Sequence, residues 1–112
     1  MISRADAFDD LVLDTAGRFR SVLGRRWEQV EFAVEDVPGD GPLPWETSAP
    51  LARIFPAEGS LPTRVVIYRR PIEALATRGE ETAALVHEVL LDQVAEMLGV
   101  DPDEIDPPDP RR

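Results

Sequence analysis

Cysteine is absent from this chain of 112 residues, and histidine occurs once, as His87. Each shortage removes a class of chemistry. Without cysteine there is no disulfide, no thiol nucleophile and no Cys-ligated zinc or iron–sulfur site. With one histidine, no site within the chain can use two imidazoles, so a His-x-x-x-His zinc pair cannot form. Lysine and asparagine are also missing, and all 12 bases are arginine. Lys and Asn codons are AT-rich, so their joint absence reflects a GC-rich genome rather than a mechanism. Apolar runs are short, and none approaches the roughly 18 residues that a membrane-spanning helix needs. The opening residues, Met1-Ile2-Ser3-Arg4-Ala5-Asp6, have no basic segment followed by an apolar one, so no secretory signal is expected. These shortages give the expectation of a cytoplasmic protein with no membrane contact.

What is present is an acidic, globular composition. There are 22 acids against 12 bases, for a net charge of -10. That balance excludes a nucleic-acid partner, because phosphate-backbone binding depends on Lys and Arg neutralising phosphates. Hydrophobic residues make up 43% of the chain, enough for one small core. Residues 1–100 are expected to form that single domain. Residues 101–112 carry four prolines and five acids and are expected to be an irregular, partly disordered acidic tail.

Periodicity supplies the elements. Phe8, Leu11, Val12, Ala16, Phe19, Val22 and Leu23 recur at three- and four-residue spacing, which predicts one amphipathic helix from Ser3 to about Leu23. Ser3 or Asp6 can cap its start, and Gly24 suits its end. Strict alternation through Val30, Phe32 and Val34 predicts a half-buried strand. Pro38 to Pro50 reads as a surface loop that holds Trp45, a residue expected to fold back over a core edge, and the weak PPII string Pro42-Leu43-Pro44. Leu51 to Phe55 predicts a second strand. The β-branched run Val65-Val66-Ile67-Tyr68 predicts a third, buried on both faces. Arg69-Arg70 reads as a solvated pair neutralising local acids, with carboxylate or phosphate binding near a helix start as the other reading. Pro71 is placed to start a short helix. Glu80 to Leu98 is the longest periodic segment, with acids at its start and Gly99 as its C-cap. The order helix, strand, strand, strand, short helix, long helix predicts a two-layer α+β domain.

The long helix carries the candidate chemistry. Ala83, Val86, Leu90, Leu91, Val94, Met97 and Leu98 form one apolar face, and His87 falls within it. Glu88, Asp92 and Glu96 stack on the opposite side, flanked by Leu85 and Val89. Spacing alone reads that stripe as a solvated acidic face, with a hard-cation site or a partner surface as the other readings. His87-Glu88 is not half of a zinc-protease motif, since the second histidine would have to stand at Leu91. His87 reads as a core-edge histidine with one hydrogen bond.

Three strings, in this order, resemble the minimal-zincin metallopeptidases, small bacterial proteins predicted to be zinc peptidases. They are Val30-Glu31-Phe32-Ala33-Val34-Glu35-Asp36, Val65-Val66-Ile67-Tyr68-Arg69-Arg70-Pro71, and the long helix ending in Gly99-Val100-Asp101. The resemblance spans about residues 5 to 105. It implies a minimal zincin-like fold with a three- to four-stranded sheet, an N-terminal helix and a long C-terminal helix that once held the active site. In that family the last helix carries His-Glu-x-x-His. Two imidazoles bind zinc, and the glutamate activates zinc-bound water. Aligned on Pro71 and Gly99, the two histidine positions are Asp92 and Glu96, and the general-base position is Gln93. The later acidic-ligand position is Pro102, between Asp101 and Asp103. An amide cannot replace the glutamate as a base.

The resemblance therefore implies a degenerate motif. The expected protein has no catalytic residues and no metal, and acts as a binding or scaffold pseudoenzyme, a monomer or homodimer with a protein partner. The alternative is a divergent metal-dependent hydrolase that holds one divalent cation through Asp92, Glu96 and Asp101 or Asp103.

Overall fold

The computed structural model describes residues 3–39, 49–76 and 78–106. Trp45, Pro42-Leu43-Pro44 and the end of the acidic tail lie outside the described residues.

The first helix, α1, spans Arg4–Gly17. Ser3 caps it: the Asp6 amide donates to the Ser3 hydroxyl at 3.0 Å, satisfying one of the amides that a helix start leaves unpaired. Phe8, Val12, Thr15 and Ala16 form its buried side. Thr15 tolerates burial because its hydroxyl donates to the Leu11 carbonyl at 2.7 Å. The single helix expected from Ser3 to Leu23 is broken. A four-residue helix, α2, resumes at Arg20–Leu23 after Phe19, whose backbone sits at φ -92, ψ 2. Gly17 at the break is a weak helix former, and the bend leaves the Phe19 side chain wholly buried. Gly24 then turns the chain at φ 56, a left-handed value that glycine takes without a Cβ clash. A 3₁₀ turn over Gly24–Gln29 follows, and its Trp27 ring packs 5.8 Å from Phe32.

The sheet contains β1 (Val30–Glu35), β2 (Ala52–Phe55) and β3 (Thr63–Tyr68) in the order β1-β3-β2. β1 pairs with β3 in parallel, Val30 opposite Thr63, and β2 pairs with β3 antiparallel, Ala52 opposite Ile67. β3 is the middle strand, and Val65 through Tyr68 are all buried, as its β-branched run predicts. Phe32, Val34, Ile54, Val65 and Ile67 join the core formed with the helices. The register places Val66 and Tyr68 on the other face, beside Arg53 and Glu35.

Tyr68 is the one tyrosine of the chain. Burial raises its pKa above 10.0, the nearby Arg53 opposes the rise and Glu35 adds to it. A phenol whose folded value is raised contributes stability that is complete below the unfolded value and is lost as pH climbs through the folded one. Phenolate absorbance in the native protein is therefore expected to appear at higher pH than in the urea-unfolded chain, and stability to fall above about pH 10. Coincident titration of the two forms would contradict the burial.

β3 runs straight into α3, Arg69–Leu75, which starts two residues before Pro71. Pro71 still sits in the first turn, where its missing N–H leaves no bond unmade. The Arg69 side chain is only 12% exposed and is gripped by Asp36 at 3.0 Å and Glu73 at 2.8 Å. The hydrogen bond and charge of Asp36 raise the Arg69 pKa further, so it is a fixed cation. The Arg70 amide donates to the Asp36 carbonyl at 3.0 Å. Arg69 thus neutralises local acids, but it is packed rather than solvated as expected, and it ties the end of β1 to α3.

The long helix α4 spans Gly79–Leu98. Glu80 and Glu81 oppose the positive end of its dipole. Gly99 closes it in the left-handed region at φ 70, with the Val100 amide donating to the Ala95 carbonyl at 3.0 Å. The buried arc is wider than the sequence pattern indicates: Val89 and Ala95 are buried with Val86, Leu90, Leu91 and Val94. The reason is that α4 lies against α1, α3, β2 and the chain beyond Gly99 together. Val89 therefore belongs to the core rather than to the edge of the acidic stripe. No helix among the described residues is long and apolar enough to cross a membrane.

Beyond α4 a second 3₁₀ turn covers Pro102–Glu104. It is built by a capping box: Asp101 accepts from the Asp103 amide at 3.0 Å, and Glu104 accepts from the Asp101 amide at 3.2 Å. Ile105 then packs against the core.

Candidate functional site on the long helix

Four-residue spacing on α4 puts Glu88, Asp92 and Glu96 in one exposed row. Gln93 is half-buried beside it. Three carboxylates in a row repel each other, and Glu96 stands near the negative end of the helix dipole with no base in the last turn. The stripe is thus a local cost to helix stability and a source of negative potential. Its elements are fixed: the buried face of α4 anchors the row from behind, and Gly99 stops the helix three residues after Glu96.

The donor set at Asp92, Gln93 and Glu96 is two carboxylates and an amide. Zinc favours imidazole and thiolate in a tetrahedral site, so these residues do not fit it. Among the described residues no group of three or more His, Asp or Glu side chains is gathered to hold a metal ion. Asp101 has its carboxylate turned onto the Asp103 amide of its own turn.

His87 lies elsewhere on the helix. Its ring stacks on Phe19 with centroids 5.8 Å apart, and its Nε2 lies 2.9 Å from Asp106 Oδ1. A carboxylate can only accept, so Nε2 carries the proton. Nδ1 is buried with no hydrogen-bond partner among the described residues. This is the core-edge histidine with one hydrogen bond that its place on the apolar face predicts. Its partner is not legible in the sequence, since no periodicity links positions 87 and 106. The Asp101-x-x-Glu104 spacing is the one local signal that the chain folds again after Gly99.

Two clefts lie away from the stripe. One, of about 340 Å³, is lined by residues including Arg4, Phe8, Leu11, Glu73 and Thr82. The other, of about 400 Å³, lies by Phe55, Leu61 and Arg64. Neither includes Asp92, Gln93 or Glu96.

A small mixed sheet backed by helices, with a long closing helix that presents polar residues at four-residue spacing, makes a two-layer α+β scaffold. The family model of zincin-like metallopeptidases matches residues 27–111, and the chain belongs to that family. The match begins at Trp27, so α1 and α2 fall outside it, whereas the sequence resemblance extends from about residue 5. No curated protein matches the chain.

Proposed function

We propose that this chain is a zincin-like protein that has lost its zinc centre and its peptidase activity, and that it works in the cytoplasm as a binding or scaffold protein for a protein partner. What supports this reading is the residue set Asp92, Gln93, Glu96, which stands where the sequence resemblance, aligned on Pro71 and Gly99, puts the family's His-Glu-x-x-His. Peptide hydrolysis by a zincin needs a Lewis acid and a base that takes a proton from water. The side-chain amide of Gln93 takes no proton near neutral pH, and two carboxylates without imidazole hold zinc poorly. The surface left in place of the site is the acidic row, whose mutual repulsion an oppositely charged partner segment would relieve.

Metal analysis of the purified protein, with thermal melts in Zn²⁺, Mn²⁺, Mg²⁺ and Ca²⁺, tests the reading. A ligand that binds only the folded state must raise the melting temperature. The expected result is no stoichiometric metal and no rise. Stoichiometric metal together with peptide cleavage that Glu96→Ala abolishes would overturn it in favour of a carboxylate-ligated hydrolase.

A further inference from the structure

The segment beyond α4 is folded within itself but only lightly fastened to the domain. Among the described residues, the backbone hydrogen bonds of positions 101–106 stay inside the segment: the Glu104 amide donates to the Asp101 carbonyl at 3.0 Å and the Ile105 amide to the Pro102 carbonyl at 3.2 Å. The capping box adds two more internal bonds. Two side chains make the fastening. Ile105 packs against the core, and Asp106 accepts from His87. Behind them lies the left-handed glycine, Gly99, at φ 70, a ready pivot because its backbone has no Cβ to restrain it.

We propose that residues 101–106 are a releasable strap, a preformed turn that closes over His87 through Ile105 and Asp106 and lifts as a unit without unfolding the domain. A segment that keeps its hydrogen bonds when it moves loses little on opening, whereas a strand or helix would forfeit its ladder. The Asp106 side chain is 52% exposed and that of His87 24%, so water competes for the latch and the hydrogen bond is a weak one. Lifting frees the Nε2 side of the one imidazole in the chain and the apolar place that Ile105 fills. The inference rests on this packing and not on the loss of zinc, so either can fail alone.

The single histidine makes the test unambiguous, because its imidazole signals have no rivals in a proton–nitrogen spectrum. In the full-length protein, the His87 Nε2 proton is expected to exchange with solvent at least about 100-fold faster than the amides of Leu90 and Val94 in α4, because lifting breaks its bond to Asp106 while the turn keeps its own bonds. Asp106→Ala and Ile105→Ala are each expected to speed the exchange of that His87 proton about three- to tenfold. Both should shift the His87 signals while leaving Leu90 and Val94 unchanged. Asp106 is solvent-facing, so its variant keeps the fold. Exchange of the His87 Nε2 proton in step with Leu90 and Val94 would overturn the proposal, because the strap would then open only with the whole domain. His87 signals that ignore Asp106→Ala would overturn it equally.

Discussion

Zinc is expected to raise the melting temperature of the combined variant Asp92→His, Gln93→Glu, Glu96→His by on the order of 10 °C, and to leave the native chain unmoved. The three positions can be changed together because Asp92 and Glu96 are exposed and Gln93 is half-buried, so no core contact is lost. Histidines four apart on a helix share a face, with Cβ atoms about 5–6 Å apart, a separation two imidazole nitrogens can bridge through one zinc. At 100 times its dissociation constant a folded-state ligand contributes about 2.7 kcal/mol. In a domain of this size that is a rise of several degrees or more. The variant also removes two of the three carboxylates in the row and with them their mutual repulsion, so its own melt without zinc is the proper baseline. A variant that melts like the native chain but ignores zinc would mean that two imidazoles on this helix make no zinc site without the family's acidic ligand, whose position is Pro102.

Phe19→Ala is expected to cost about 3–5 kcal/mol, read from the urea midpoint at constant slope. Small domains hold about 5–15 kcal/mol in all, so this one truncation removes a large share. Phe19 is 0% exposed and belongs to the main core. It occupies the bend between α1 and α2, where the chain leaves helical geometry in order to seat the ring. Phe19→Leu, which keeps most of the apolar volume, should cost no more than about 1.5 kcal/mol. Both variants should move the His87 signals, because both remove the ring on which the imidazole stacks. A cost under about 1 kcal/mol for Phe19→Ala would show that the core does not close around this bend.

Legibility in the sequence follows the range of the interaction. β3 was legible because a β-branched run such as Val65-Val66-Ile67 satisfies both faces of a middle strand. The ends of α4 were legible because acids and Gly99 act within one turn. The proposed degenerate motif rests on offsets alone, since Asp92, Gln93 and Glu96 are placed by counting from landmarks such as Gly99. The break after Gly17 was not, since Ala16, Phe19 and Leu23 keep helical spacing straight through it. Val89 was misplaced because a helical wheel records the angle of a side chain but not how many neighbours surround the helix. The parallel pairing of β1 with β3, the Ile105 contact and the His87–Asp106 bond join residues far apart in sequence. No local propensity encodes such pairings.

The strand order carries a consequence for how the chain is made. β1 finds its partner about 33 positions further on, in β3, and β2, which is synthesised between them, ends up beyond β3. Neither β1 nor β2 pairs with the other, so until β3 leaves the ribosome there is no sheet to join. β2 and β3 can then close as a local hairpin, while β1 must wait to be recruited across the longer loop. A chain interrupted before Thr63 would hold two strands and no ladder, leaving the apolar side of α1 and the Val30, Phe32, Val34 row uncovered and prone to associate with other chains.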